Sequence, residues 1–108
     1  MLFIINSKLW KIKIVSRTNK KLRNPNNSFA LGVCDNNDRC IYISNELSSK
    51  KFKQVLYHEI THALIFSYNI HIPYRQEELF ADFMATYGAE VIYLTNKIFY
   101  AKNKNRGA

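Results

Sequence analysis

The sequence predicts an α+β domain, a small antiparallel or mixed sheet packed on two main helices. Three observations carry that expectation. Alternating apolar segments are confined to the first part of the chain, up to Ser44. A helical pattern free of Gly and Pro runs from about 48 to 69. A second, longer helical pattern begins near Glu77. At 108 residues the chain fits one domain spanning 1–108. Nearly half of it is apolar, with seven Phe and seven Tyr, enough for one modest core. A bound metal would add stability to so small a fold.

The elements follow in order. In "LWKIKIVS", Trp10, Ile12 and Ile14 alternate with Lys11 and Lys13, as in a half-buried strand. "RTNKKLRNPNNS" reads as an exposed loop around Asn24-Pro25. "FALGVCDNNDRCIYIS" predicts two strands, 29–34 and 40–44, around a turn in which Asn36, Asn37 and Asp38 tolerate unusual backbone angles. The first helix takes Ser48 or Ser49 as its cap and ends at Asn69. "IHIPYRQ" is a connector, because Pro73 disfavours helix in the residue before it. The second helix starts with acidic residues and ends with lysines, as the macrodipole favours. Gly88 within it marks a close approach or a bend.

Charge and composition narrow the function classes. The formal charge is +8, with basic segments "RTNKKLR" and "KNKNRGA". The lysines are scattered and lack interleaved aromatic residues, so solvated surface is expected rather than direct nucleic-acid binding. The basic tail, about 103–108, is expected to be disordered. No apolar run approaches the roughly 20 residues of a membrane span. The start has no basic segment before its apolar run and no small-residue cleavage site, so a cytoplasmic protein is expected. There Cys34 and Cys40 would be free thiols, although a hairpin could bring them face to face.

The chemistry lies in "VLYHEITHALI", residues 55–65. His58 and His62 stand four apart, so on a helix they present two imidazoles to one point. That is the bite of a Zn2+ site. Glu59 sits beside His58 on the helical wheel, placed to take a proton from water without ligating the metal. The bland alternative is an amphipathic helix that happens to contain two histidines. "EELFAD" tips the balance, because a catalytic zinc wants a third protein ligand. Glu78 and Asp82 stand at i and i+4. Glu78 is the preferred ligand, and Asp82 would accept the outer N–H of a zinc-bound histidine. Glu77, an ordinary first-turn carboxylate, and His71, nine residues past His62, compete for the third position.

"YHEITHALI" followed by "EELFADFMA" resembles the small zincin-like metallopeptidases of the ImmA/IrrE type, common in bacteria, phages and mobile elements. The resemblance covers about residues 29–91. It implies a minimal zincin-like fold, zinc held by His58, His62 and Glu78, and Glu59 as general base. It also implies a protein or peptide substrate, with site-specific cleavage of a partner transcriptional repressor as the family's example. Leu79 stands where the family places Ala after its third ligand, and no helix-turn-helix is recognisable.

The expected reaction is zinc-dependent peptide hydrolysis. Water attacks a carbonyl as Glu59 takes and then returns a proton, and Tyr68, Tyr74 or Tyr87 donates to the oxyanion. The strand "CIYIS", with Ile41, Tyr42 and Ile43, is the expected edge for an extended substrate. Two other classes compete: a catalytically weak zinc-binding regulatory or protein-binding module, and a basic nucleic-acid-binding domain with an accidental motif.

Overall fold

A computed structural model describes residues 1–106 of the chain, without the side chains of 105 and 106. It is α+β, as expected. Strands β1 (Leu2–Ile5), β2 (Lys8–Val15), β3 (Gly32–Asp35) and β4 (Cys40–Ser44) form one mixed sheet, in the order β1-β2-β4-β3. Helices α1 (Ser49–Ser67) and α2 (Tyr74–Arg106) follow. β1 pairs antiparallel with β2 and β3 with β4, whereas β2 and β4 are parallel.

The first strand is an element that sequence reasoning missed. It joins β2 through Asn6 and Ser7, which have φ of 49° and 64°. Two consecutive left-handed residues make the tight turn whose twist suits a hairpin. β2 covers the alternating segment, with Trp10 fully buried and Ile12 against the core. Ile14, expected on the buried side, is 52% exposed.

Each face of the sheet has its own core. On one face, Trp10, Ile41 and Ile43 pack with Ala63 of α1. The buried Trp10 indole donates to Ser67 Oγ at 2.8 Å, tying β2 to the last residue of α1. On the other, Leu22 is completely buried with Cys40 and Tyr42, and Phe29 and Val33 pack beside them. The expected exposed loop after β2 is therefore half a lid. Its 3-10 turn (Lys20–Leu22) drives one leucine under the sheet, and an isolated bridge from Arg23 to Phe29 fastens it.

The β3–β4 turn is built by Asp35, whose Oδ1 accepts from the backbone N–H groups of Asn37 and Asp38. The left-handed residue there is Arg39, at φ 48°. Both cysteines are free thiols. Cys34 pairs with Ile41 and Cys40 with Asp35, so the two side chains leave opposite faces of the sheet and cannot meet.

β4 reaches α1 within four residues. Ser48 caps α1 by accepting from the Lys51 N–H, and Asn69, at φ 53°, turns the chain beyond its end. α2 starts at Tyr74, directly after Pro73 and three residues earlier than expected. Ala81, Met84, Ala85 and Gly88 make its covered face, at the spacing of a helical stripe. A Cβ at Gly88 would lie 3.2 Å from the Tyr57 ring, so this glycine marks a close approach between the helices. α2 then runs on to Arg106, so helix replaces most of the disordered tail expected at 103–108; residues 107 and 108 lie outside the described residues. Among the described residues, no helix is long and apolar enough to cross a membrane.

Candidate metal centre

α1 and the first two turns of α2 face each other across the site. The i, i+4 spacing stacks His58 and His62 on one side of α1, with their Nε2 atoms 3.2 Å apart. Glu78 of α2 reaches between them, one oxygen 2.8 Å from His62 Nε2 and the other 3.4 Å from His58 Nε2. These three side chains form a group that could hold a metal ion, all ligand atoms lying within 4.8 Å of one another. Ligands at about 2.05 Å from a tetrahedral zinc would be about 3.3 Å apart, so the donor set fits that ion.

The outer nitrogens of both imidazoles are also engaged. His58 Nδ1 lies 3.1 Å from Asp82 Oδ1, as expected from the i, i+4 spacing of Glu78 and Asp82. His62 Nδ1 donates to Glu77, a partner that sequence reasoning read only as a dipole residue or a rival ligand. Glu77 and Glu78 are adjacent, so they leave the helix about 100° apart and serve different atoms of the same histidine. With His62 Nδ1 donating to Glu77, the Nε2 lone pair of that ring is free to face the ligand position, while His58 Nδ1 lies close to Asp82 without the alignment of a hydrogen bond. Glu77 is nearly buried, whereas Asp82 is 68% exposed.

Glu59 is buried, its carboxylate 3.9 Å from His58 Nε2. Burial raises its pKa to about 7; the His62 ring opposes the shift and the Glu78 carboxylate adds to it. A carboxyl poised there exchanges a proton readily near neutral pH. Its neighbour across the sheet is Gly32 of β3. A Cβ at that position would come within 2.5 Å of Val55 Cγ1 and 3.2 Å of Glu59 Cγ, so only glycine lets β3 lie directly on α1 here.

Two open clefts meet at His58 and Glu59. One, of about 440 Å³, extends past Lys51, Gln54 and Thr86. The other, of about 510 Å³, extends past Gly32, Cys34, Phe66 and Tyr74. Burial, with help from the Glu59 carboxylate, pushes the Cys34 thiol far above its usual pKa, so it lines the cleft as a neutral group.

Several expected participants lie elsewhere. Of the three candidate oxyanion donors, Tyr74 lines the second cleft. Tyr68 is the exposed C-terminal cap of α1, and Tyr87 borders a separate hollow on α2. His71 is exposed in the connector and stands outside the metal-holding group. Ile41, Tyr42 and Ile43 cannot receive a substrate strand, because β4 is paired on both sides. The free edge beside the site belongs to β3, whose Gly32, Val33 and Cys34 line the cleft. A polar turn hides that topology, since it leaves open which strand of the hairpin lies outermost. No protein-family model, curated protein or solved structure matches the chain.

Proposed function

We propose that this chain is a zinc-dependent metallopeptidase of zincin-like fold, which hydrolyses a peptide bond in a protein substrate. The observation that carries the reading is the arrangement of two Nε2 atoms and one carboxylate at tetrahedral spacing, with a further carboxylate beside each imidazole. Such an arrangement costs two more acidic side chains, which a chance pair of histidines has no reason to recruit.

His58, His62 and Glu78 would hold the ion. Zinc supplies a Lewis acid that acidifies water and polarises a carbonyl. Everything else belongs to the chain. Glu59 lies beside the ligands but farther from His58 Nε2 than Glu78 does, the position of a base rather than of a fourth ligand. It takes the proton of the attacking water and, once protonated, passes it to the departing amine. An extended substrate adds to the free edge of β3 through backbone hydrogen bonds, which sets its scissile carbonyl over Glu59. Tyr74 is the phenol best placed to donate to the oxyanion. The partner implied by the resemblance is a transcriptional repressor, met in the cytoplasm.

Metal analysis and a cleavage assay test this together. The expected result is about one zinc per chain, lost in His58→Ala or His62→Ala, with cleavage of a candidate repressor that disappears in Glu59→Gln. Full proteolysis by Glu59→Gln would remove the mechanism, and a chain purified without zinc affinity would remove the metal centre.

A further inference from the structure

Beyond Gly88, α2 leaves the body of the domain. Every side chain from 89 to 104 is exposed, including Val91, Ile92, Tyr93, Leu94, Ile98 and Phe99. The molecule measures 60 × 31 × 28 Å, and its radius of gyration is 16.5 Å. A compact chain of this length has a radius near 13 Å. The exposed surface is 8039 Å² for 12.7 kDa, against about 6,200 Å² for a compact monomer of that mass. The surplus of about 1,800 Å² is roughly twice what each partner contributes to a standard stable interface.

The pattern along the projecting helix indicates what covers it. Tyr87, Val91, Leu94, Ile98 and Ala101 follow one another at alternating steps of four and three, the repeat of a two-helix seam. The apolar residues are also arranged symmetrically about Asn96. In an antiparallel pair centred there, Leu94 meets Ile98 of the second copy and Val91 meets Ala101. Glu90 then comes beside Lys102 and Lys104 of the second copy, and symmetry repeats that contact. Lys97, near the axis, lies over the Tyr93 ring of its own helix at 5.9 Å. A parallel pair would instead set Glu90 against Glu90 and lysine against lysine, with the two globular bodies side by side.

We propose that the outer half of α2 is the self-association surface of this chain, which forms an antiparallel homodimer along the seam from Tyr87 to Ala101. The symmetric distribution of charge at its ends selects a second copy over an unrelated apolar partner. The proposal does not rest on the metal centre.

Sedimentation equilibrium of the full chain tests it. The expected species is a dimer of about 25 kDa at micromolar concentration. Leu94→Lys and Ile98→Lys should each weaken it at least about 100-fold and leave folding intact, because both side chains are exposed in the single chain. A chain monomeric at about 100 μM, or one of any other stoichiometry, overturns the proposal. Direction is read by disulfide trapping against the native chain as reference. Val91→Cys with Ala101→Cys should cross-link two chains, and neither single variant should. Cross-linking by Val91→Cys alone overturns the antiparallel arrangement. Binding of a monomeric chain to anionic phospholipid vesicles, abolished by Ile98→Lys, would assign the stripe to a lipid surface and likewise overturn it.

Discussion

Replacing Glu77 by Gln should weaken zinc binding far more than replacing Asp82 by Asn, although each carboxylate meets one imidazole. In the Glu77–His62 pair the two side chains are only 12% and 8% exposed. Asp82 is largely in water. A hydrogen bond to a carboxylate contributes about 1.5–3 kcal/mol, and it is stronger in the low dielectric of a buried site than in water. The glutamine amide has a second effect. It can donate to Nδ1, which places the ring proton on Nε2 and blocks the nitrogen that would meet the metal. Loss of such an orienting partner weakens metal binding about 10- to 100-fold, or about 1.4–2.7 kcal/mol. The upper half of that range is expected for Glu77→Gln and less than about fivefold for Asp82→Asn. Competition against a chromogenic zinc chelator measures both. Equal losses, or a larger loss at Asp82, would refute the reasoning that burial decides which carboxylate matters.

Three further perturbations test other parts of the molecule. Glu59→Gln should retain zinc while peptide hydrolysis falls by at least about 100-fold in a turnover assay. The same variant has a pH signature in chelator-treated protein. Burial holds the Glu59 pKa at about 7 against an ordinary 4.5, so the folded state binds the proton more tightly than the unfolded one. Its stabilising protonation is fully present below about pH 4.5 and is lost as pH rises through about 7, a decline of about 3 kcal/mol. Urea unfolding should show that decline in the native chain but not in Glu59→Gln, and parallel curves would refute it. Gly32→Ala should cost about 1–3 kcal/mol in thermal or urea unfolding, because its Cβ must displace the stiff Val55 side chain. Ser67→Ala strands the buried Trp10 indole N–H, so unfolding should become easier by about 1–3 kcal/mol, with no change in zinc affinity.

The parts legible in the sequence are those fixed by local chemistry. Cys40–Ser44 and Ser49–Ser67 follow from an apolar run and from a capped helical pattern, so sequence reading places both elements closely. The helical spacing of His58, Glu59 and His62 likewise sets their common side without tertiary information. What escaped depends on pairing and phase. β1 escapes because Asn6-Ser7 lacks the glycine that usually marks a tight turn. Leu22 lies within a polar run, and its burial depends on a loop folding back under Tyr42 and Cys40. The roles of Glu77 and Glu78 depend on the rotation of α2 against α1, set by the packing of Gly88 on Tyr57. Spacing identifies the carboxylates as candidates, but only the packed pair of helices assigns each to its nitrogen. Which hairpin strand is outermost is a question of the same kind, so the open edge passes from β4 to β3.

The covered stretch of α2 also separates the two ends of the helix mechanically. Ala81 and Gly88 are both buried against the body, seven residues or about 10 Å apart along the axis. Glu78 lies on the inner side of these two contacts, and the projecting half lies on the outer side. A load on the far end therefore bends the helix beyond Gly88 before it can turn the stretch that carries Glu78. The carboxylate is in this way shielded from whatever engages the free end, and it stays within reach of both imidazoles.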